Sequence, residues 1–157
     1  EIDHHVIWKK VMPRLTGKQY TEEGFKELLE AAGEEFWENL DPYPWFDELW
    51  DLCMSVAPVV IMSSPWTIPR AASGKMLWLM KHKPEALERI SLTSVKHHHA
   101  HPNALLIDDR ADSCALFRQP NPDKPEWGGR TYCWPQPWSA FNWALRDPLA
   151  ELRGLLL

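Results

Sequence analysis

The residues most suited to chemistry in this chain sit where short apolar runs stop. Leu105-Leu106-Ile107 runs straight into Asp108-Asp109-Arg110. Two adjacent carboxylates leaving a buried strand are costly unless they are solvated, paired or bound to a cation. Hard oxygen donors of this kind suit Mg²⁺, which takes one or two carboxylates and keeps several waters; an Asp cap or turn after the strand is the plainer alternative. The run Val59-Val60-Ile61-Met62 stops at Ser63-Ser64-Pro65. There a hydroxyl and neighbouring backbone N–H groups can hold a phosphate oxygen, and an ordinary Ser-Pro turn is the alternative. Lys96, between the two, is a cation that could neutralise a phosphate and a carboxylate together, or a solvated surface charge. His97-His98-His99-Ala100-His101 follows it. Clustered imidazoles can bind a transition metal, but no paired spacing or nearby cysteine completes a zinc site, so the run reads as a polar loop.

Helices alternating with short apolar strands must position these groups. Thr21 can cap a helix carrying Phe25, Leu28, Leu29 and Ala32 on one stripe, with Gly33 able to end it. Asp41-Pro42-Tyr43-Pro44 reads as a turn, and Phe46, Leu49, Trp50 and Cys53 mark a second amphipathic helix. Strands are predicted at 59–62, 90–93, 104–107 and 130–134, the first and third buried on both faces. Helices are predicted at 70–82, 84–89 and from about Ser139. The pattern is α/β, a Rossmann-like parallel sheet flanked by helices, with residues 1–40 as a small helical cap and 41–157 as the core. In open parallel sheets the site lies beyond the carboxyl ends of the strands, where the polar residues fall.

Composition limits the partners. The chain has 157 residues, 45% of them hydrophobic, and a formal charge of −5. That balance argues against a polymeric nucleic-acid surface but not against a small anion held locally. No apolar run approaches the roughly 18 residues of a membrane span, and no signal peptide is visible. A soluble cytoplasmic protein is expected. Three sparse cysteines, Cys53, Cys114 and Cys133, read as small buried hydrophobes in a reducing compartment. Ten scattered tryptophans read as packing residues.

The order of these motifs, a strand ending in Ser-Ser, then a lysine, then a strand ending in Asp-Asp, resembles the second to fourth motifs of haloacid dehalogenase-like hydrolases. Met62-Ser63-Ser64-Pro65, Ile90-Ser91-Leu92-Thr93-Ser94-Val95-Lys96 and Leu105-Leu106-Ile107-Asp108-Asp109-Arg110 are similar to stretches of the 5'(3')-deoxyribonucleotidases of phage and bacteria. So are Phe36-Trp37-Glu38-Asn39-Leu40-Asp41-Pro42-Tyr43-Pro44 and the Pro135–Trp138 loop; together the likeness covers roughly residues 34–145. It implies a Mg²⁺-dependent phosphate monoester hydrolase acting on nucleoside monophosphates through an aspartyl-phosphate. Ser63 and Ser64 would bind the phosphoryl group, Lys96 would balance charge on phosphate and nucleophile, and Asp108 and Asp109 would serve the metal. Phe36 and Trp37 would pack on the nucleobase, and a homodimer is compatible. Ser63, Lys96 and the Asp pair are expected in one cleft.

Two departures stand out. The interval from Lys96 to Asp108 is lengthened by the histidine run. No strand ending in Asp-x-Asp-Gly occurs in the sequence, so the nucleophile is missing; a lost N-terminal strand is the expected reason, and the chain alone is expected to be inactive. The rival readings are an inactive nucleotide- or phosphate-binding domain and a tryptophan-rich binding module.

Overall fold

The computed structural model describes residues 21–65, 67–135 and 146–156. The calls on residues 1–20, on Trp66 and on the Pro-Trp loop beyond Pro135 lie outside these residues, as does the start of the helix expected from about Ser139. The chain divides into two compact units, Glu1–Ser94 and Val95–Leu157; the expected division at residue 40 falls inside the first. The architecture is mixed α/β, with helices and two short parallel strand pairs, one in each unit.

In the first unit, helix α1 (Glu22–Glu38) is capped by Thr21, whose hydroxyl accepts the Gly24 N–H. Gly33 ends its first segment, as expected. The backbone there takes φ 73°, ψ −166°, open to glycine because it lacks a Cβ, and a second segment runs on to Glu38. Of the expected stripe Leu29 is buried, while Leu28 stays 43% exposed. Helix α2 (Phe46–Val56) buries Trp50. Strand β1 is Ile61–Ser63, starting later than expected, with Val60 exposed and the strand half-buried rather than covered on both faces. Helix α3 (Pro69–His82) starts on Pro69, whose missing N–H costs nothing in a first turn. A 3₁₀ turn (Pro84–Arg89) then leads into β2 (Ile90–Leu92), which pairs in parallel with β1, Ile61 opposite Ile90.

Helix α3 packs close against α1 at Gly74, where a Cβ would lie 2.6 Å from the Glu34 carbonyl oxygen. Leu29, Ile68 and Ala71 form one core cluster with Trp37 against it. Trp50, Leu79 and Ala86 form another, packed by Ile61, Trp78 and Ile90. Beside it Lys83 is buried but paired with Asp47 at 2.8 Å and Glu85 at 3.2 Å.

In the second unit, a 3₁₀ turn (Lys96–His99) precedes β3 (Leu105–Asp108), α4 (Ala111–Phe117), β4 (Arg130–Cys133) and α5 (Pro148–Leu156). Strands β3 and β4 pair in parallel from Leu105–Arg130 to Asp108–Cys133. The expectation of two buried faces is corrected: Leu106 and Asp108 are buried while Leu105 and Ile107 are half-buried. Alternation along a strand puts Leu106 and Asp108 on the same face, so the aspartate points to the covered side. Gly129 leaves room for the Phe117 ring, which a Cβ would meet at 2.1 Å.

Candidate functional site

The end of β1 carries hydroxyls rather than charge. The Ser63 carbonyl accepts the Thr93 N–H at 2.9 Å, which continues the β1–β2 pairing by one step. The hydroxyls of Ser64 and Ser94 lie 2.9 Å apart in a hydrogen bond. The Lys75 ammonium donates to the Ser64 carbonyl and sits 4.7 Å from the centre of the Trp37 ring, a cation–π arrangement.

Ser63, Lys75 and Trp37 line one cavity of about 280 Å³ within the first unit. Its other walls are mainly apolar, from Leu40, Tyr43, Phe46 and Trp78, with Asp41 also in the lining. Trp78 is oriented by its indole N–H, which donates to the Leu40 carbonyl, and by the Phe46 ring set edge-on at 5.5 Å. Trp37, expected to stack on a ligand, therefore shares a cleft with Ser63. Phe36 is not among the lining residues; it is 43% exposed and packs edge-on against Trp37 at 5.1 Å.

Sequence reasoning missed Lys75, though a signal was available. On α3, Ala71, Gly74, Lys75, Trp78 and Leu79 follow helical spacing on a face that is otherwise small or apolar. A cation on such a stripe must reach a polar partner, and here it finds the carbonyl after Ser63.

The end of β3 is the opposite case. The Asp108 side chain is 2% exposed, and its Oδ2 is 2.5 Å from the Lys96 ammonium, itself 19% exposed. Its Oδ1 accepts the Arg110 N–H at 2.9 Å. Asp109, one residue beyond the strand, is exposed. Protein atoms nonetheless crowd its carboxyl, and that desolvation, followed by the neighbouring charge of Asp108, raises its pKa. Arg110 turns away to pair with Asp112 at 2.5 Å, which holds the Asp112 carboxyl down to about 2.

The histidine run forms the short turn after Lys96. Asn121, itself buried, pins it by donating to the carbonyls of His98 and Ala100, each at 2.9 Å. His98 meets Asp123 at 2.8 Å, and His101 packs on the Trp127 ring. Among the described residues no group of three His, Cys, Asp or Glu side chains is gathered to hold a metal. A Mg²⁺ ion needs only one or two carboxylates with water. Asp108 and Asp109 fit that requirement unequally: Asp108 already has a partner on each oxygen, while Asp109 stands at an exposed position with a partly desolvated carboxyl whose raised pKa an adjacent cation would relieve.

The sequence-predicted residues thus fall in two places: Ser63, Ser64, Phe36 and Trp37 in the first unit, Lys96, Asp108 and Asp109 in the second. No family model matches the chain, and neither a curated protein nor a solved structure matches it. Among the described residues no helix is long and apolar enough to cross a membrane.

Proposed function

We propose that this chain belongs to a Mg²⁺-dependent phosphate monoester hydrolase of haloacid dehalogenase-like fold that acts on nucleoside monophosphates. The observation that carries the reading is the end of β3: a buried carboxylate neutralised by Lys96, followed at once by a second aspartate at an exposed position. That pairing leaves one acidic group for a divalent cation and fixes the other as its support. When bound, Mg²⁺ would offset the negative charge of the phosphate. Asp109 would hold the ion, while Asp108 and Lys96 fix the position and local charge of the strand end.

Taken by itself, the first unit has a cavity that would suit a phosphate and a base. Ser63 would donate its hydroxyl to a phosphate oxygen, and Lys75, which lines the same cavity, would add a cation. The aromatic cleft is slightly smaller than a typical drug-sized pocket, roughly 300 Å³ and upward, so it suits a single base rather than a polymer. Trp37 and Trp78 would provide faces for that base, a sequence-tolerant contribution of about 1–3 kcal/mol per stacked ring. The sequence contains no Asp-x-Asp-Gly to attack phosphorus, so ligand binding is the activity expected of this polypeptide itself.

The test is calorimetric titration with deoxyuridine monophosphate, with and without Mg²⁺. Binding is expected to need the metal, to fall on chelation, and to drop at least tenfold in the Asp108→Asn/Asp109→Asn double variant. Equal affinity in excess chelator, or in a folded double variant, would refute the metal-dependent reading.

A further inference from the structure

The proposed chemistry leaves the cysteines unused, and two of them meet beside the acidic strand end. The β3–β4 register sets Cys133 directly opposite Asp108. Helix α4 begins just after that strand and brings Cys114 back beneath it, where the thiol donates to the Asp108 carbonyl at 3.6 Å. The Asp108 carbonyl that takes the Cys114 thiol also accepts the N–H of Trp134 at 2.8 Å, so Cys133, the residue before it, stands beside the same peptide. Cys133 is exposed and Cys114 is buried, so one thiol is open to a reagent and the other waits behind it. Cys53, the remaining cysteine, lies in the first unit. Two cysteines on neighbouring elements around one peptide are placed so that side-chain rotation can bring their sulfurs toward the disulfide length of about 2.05 Å.

We propose that Cys114 and Cys133 form a reversible disulfide by exchange with a small-molecule disulfide, making a redox-sensitive site beside Asp108. The thiolate of Cys133 attacks one sulfur of the incoming disulfide; that S–S bond breaks and one small thiolate leaves. The Cys114 thiolate then attacks the Cys133 sulfur and releases the second. Two cysteine thiols are oxidised and one small disulfide is reduced to two thiols, whose protons are those the cysteines gave up. Burial raises the Cys114 pKa, to about 12, with the nearby Cys133 adding to the effect. That makes the closing step the slower one, because the thiolate is the nucleophile. The closed bond would tie β4 to α4 across Asp108 and take the Cys114 thiol from the Asp108 carbonyl. The disulfide stands independently of the phosphatase reading, which can fail without removing the thiol pair.

The experiment exposes the 157-residue chain to glutathione disulfide and follows intact mass and a peptide map. The native chain is expected to lose two hydrogens, to show a Cys114–Cys133 link, and to recover its thiols in dithiothreitol; Cys53→Ser should behave the same. Cys114→Ser should stop with one glutathione on Cys133, and Cys133→Ser, altered at the exposed position, should leave Cys114 unmodified. A native chain that keeps a stable glutathione adduct on Cys133, links Cys53 instead, or leaves Cys133 untouched would overturn the proposal.

Discussion

At the end of β1, Ser63 and Ser64 are neutral and half-buried, with the Ser64 hydroxyl bonded to that of Ser94; at the end of β3, Asp108 places a carboxylate on the strand's covered face and depends on Lys96. Both follow short apolar strands in parallel pairs, yet the physical demands differ. A hydroxyl can exchange one partner for another at small cost. A buried carboxylate without its cation faces a desolvation penalty of several kcal/mol. The first end is therefore free to be shaped by a ligand, with an aromatic cleft beside it. The second must be assembled before any ligand arrives, and only its outer residue, Asp109, remains open.

The sharpest way to break this contrast is to remove Lys96. Lys96→Met strands the deeper partner of the pair and is expected to cost about 3–5 kcal/mol in urea unfolding. Asp108→Ala should cost less, because the partly exposed Lys96 can swing its ammonium into water. Replacing both partners with apolar residues should recover much of the loss, and Ser63→Ala should change stability by no more than about 0.5–1 kcal/mol. A Lys96→Met loss no larger than that of Ser63→Ala would erase the distinction between the two strand ends.

At the first end the expected effects are on affinity. Trp37→Leu keeps an apolar group against Leu29, Ile68 and Ala71 but removes the ring face, so nucleoside monophosphate binding should weaken roughly tenfold, within the stacking range of about 1–3 kcal/mol. Phe36→Leu, outside the cleft lining, should change affinity by less than about twofold. Fluorescence titration measures both, and an equal loss in the two variants would mean that the cleft is not where the base sits.

How much of this was legible in the sequence depended on whether the cause was local. The Thr21 cap, the Pro69 helix start and the strand ending at Asp108 each follow from a residue and its near neighbours. Gly33 was recognised as a breaker, but whether a helix resumes after it depends on the packing of the next turn against α3 at Gly74. The start of β1 was misplaced because Val59 and Val60 have strand-like side chains, while the pairing that defines the strand is set by Ile90 across the gap. The pairing of Lys96 with Asp108, and the pinning of the histidine turn by Asn121, join residues distant in sequence, and composition does not reveal them. Lys75 was legible in principle, as a charge on an otherwise small and apolar helical stripe. The seven-residue helix α4 was too short to show a period.

The smallest expected effect is acid sensitivity of the second unit. Arg110 beside Asp112, and Arg146 then Tyr132 beside Glu151, hold both carboxyls down to about 2. A depressed folded-state pKa contributes stability above the unfolded value, near 4, that is lost as pH falls toward about 2. Both side chains are solvent-exposed enough for screening to make the contribution small. Asp112→Asn with Glu151→Gln should flatten the decline in thermal midpoint between about pH 4 and 2, and an unchanged slope would assign that decline to other groups.

The central claim, that Asp109 is the carboxylate open to a divalent cation while Asp108 is held by Lys96, is tested most directly by locating the ion. Mn²⁺ shares the preference of Mg²⁺ for oxygen ligands and broadens nearby amide signals in a magnetic resonance spectrum. Broadening is predicted to centre on Asp108, Asp109 and Arg110, and to disappear in Asp109→Asn while the rest of the spectrum is retained. Broadening centred on His97–His101, or persisting at the strand end in Asp109→Asn, would contradict it.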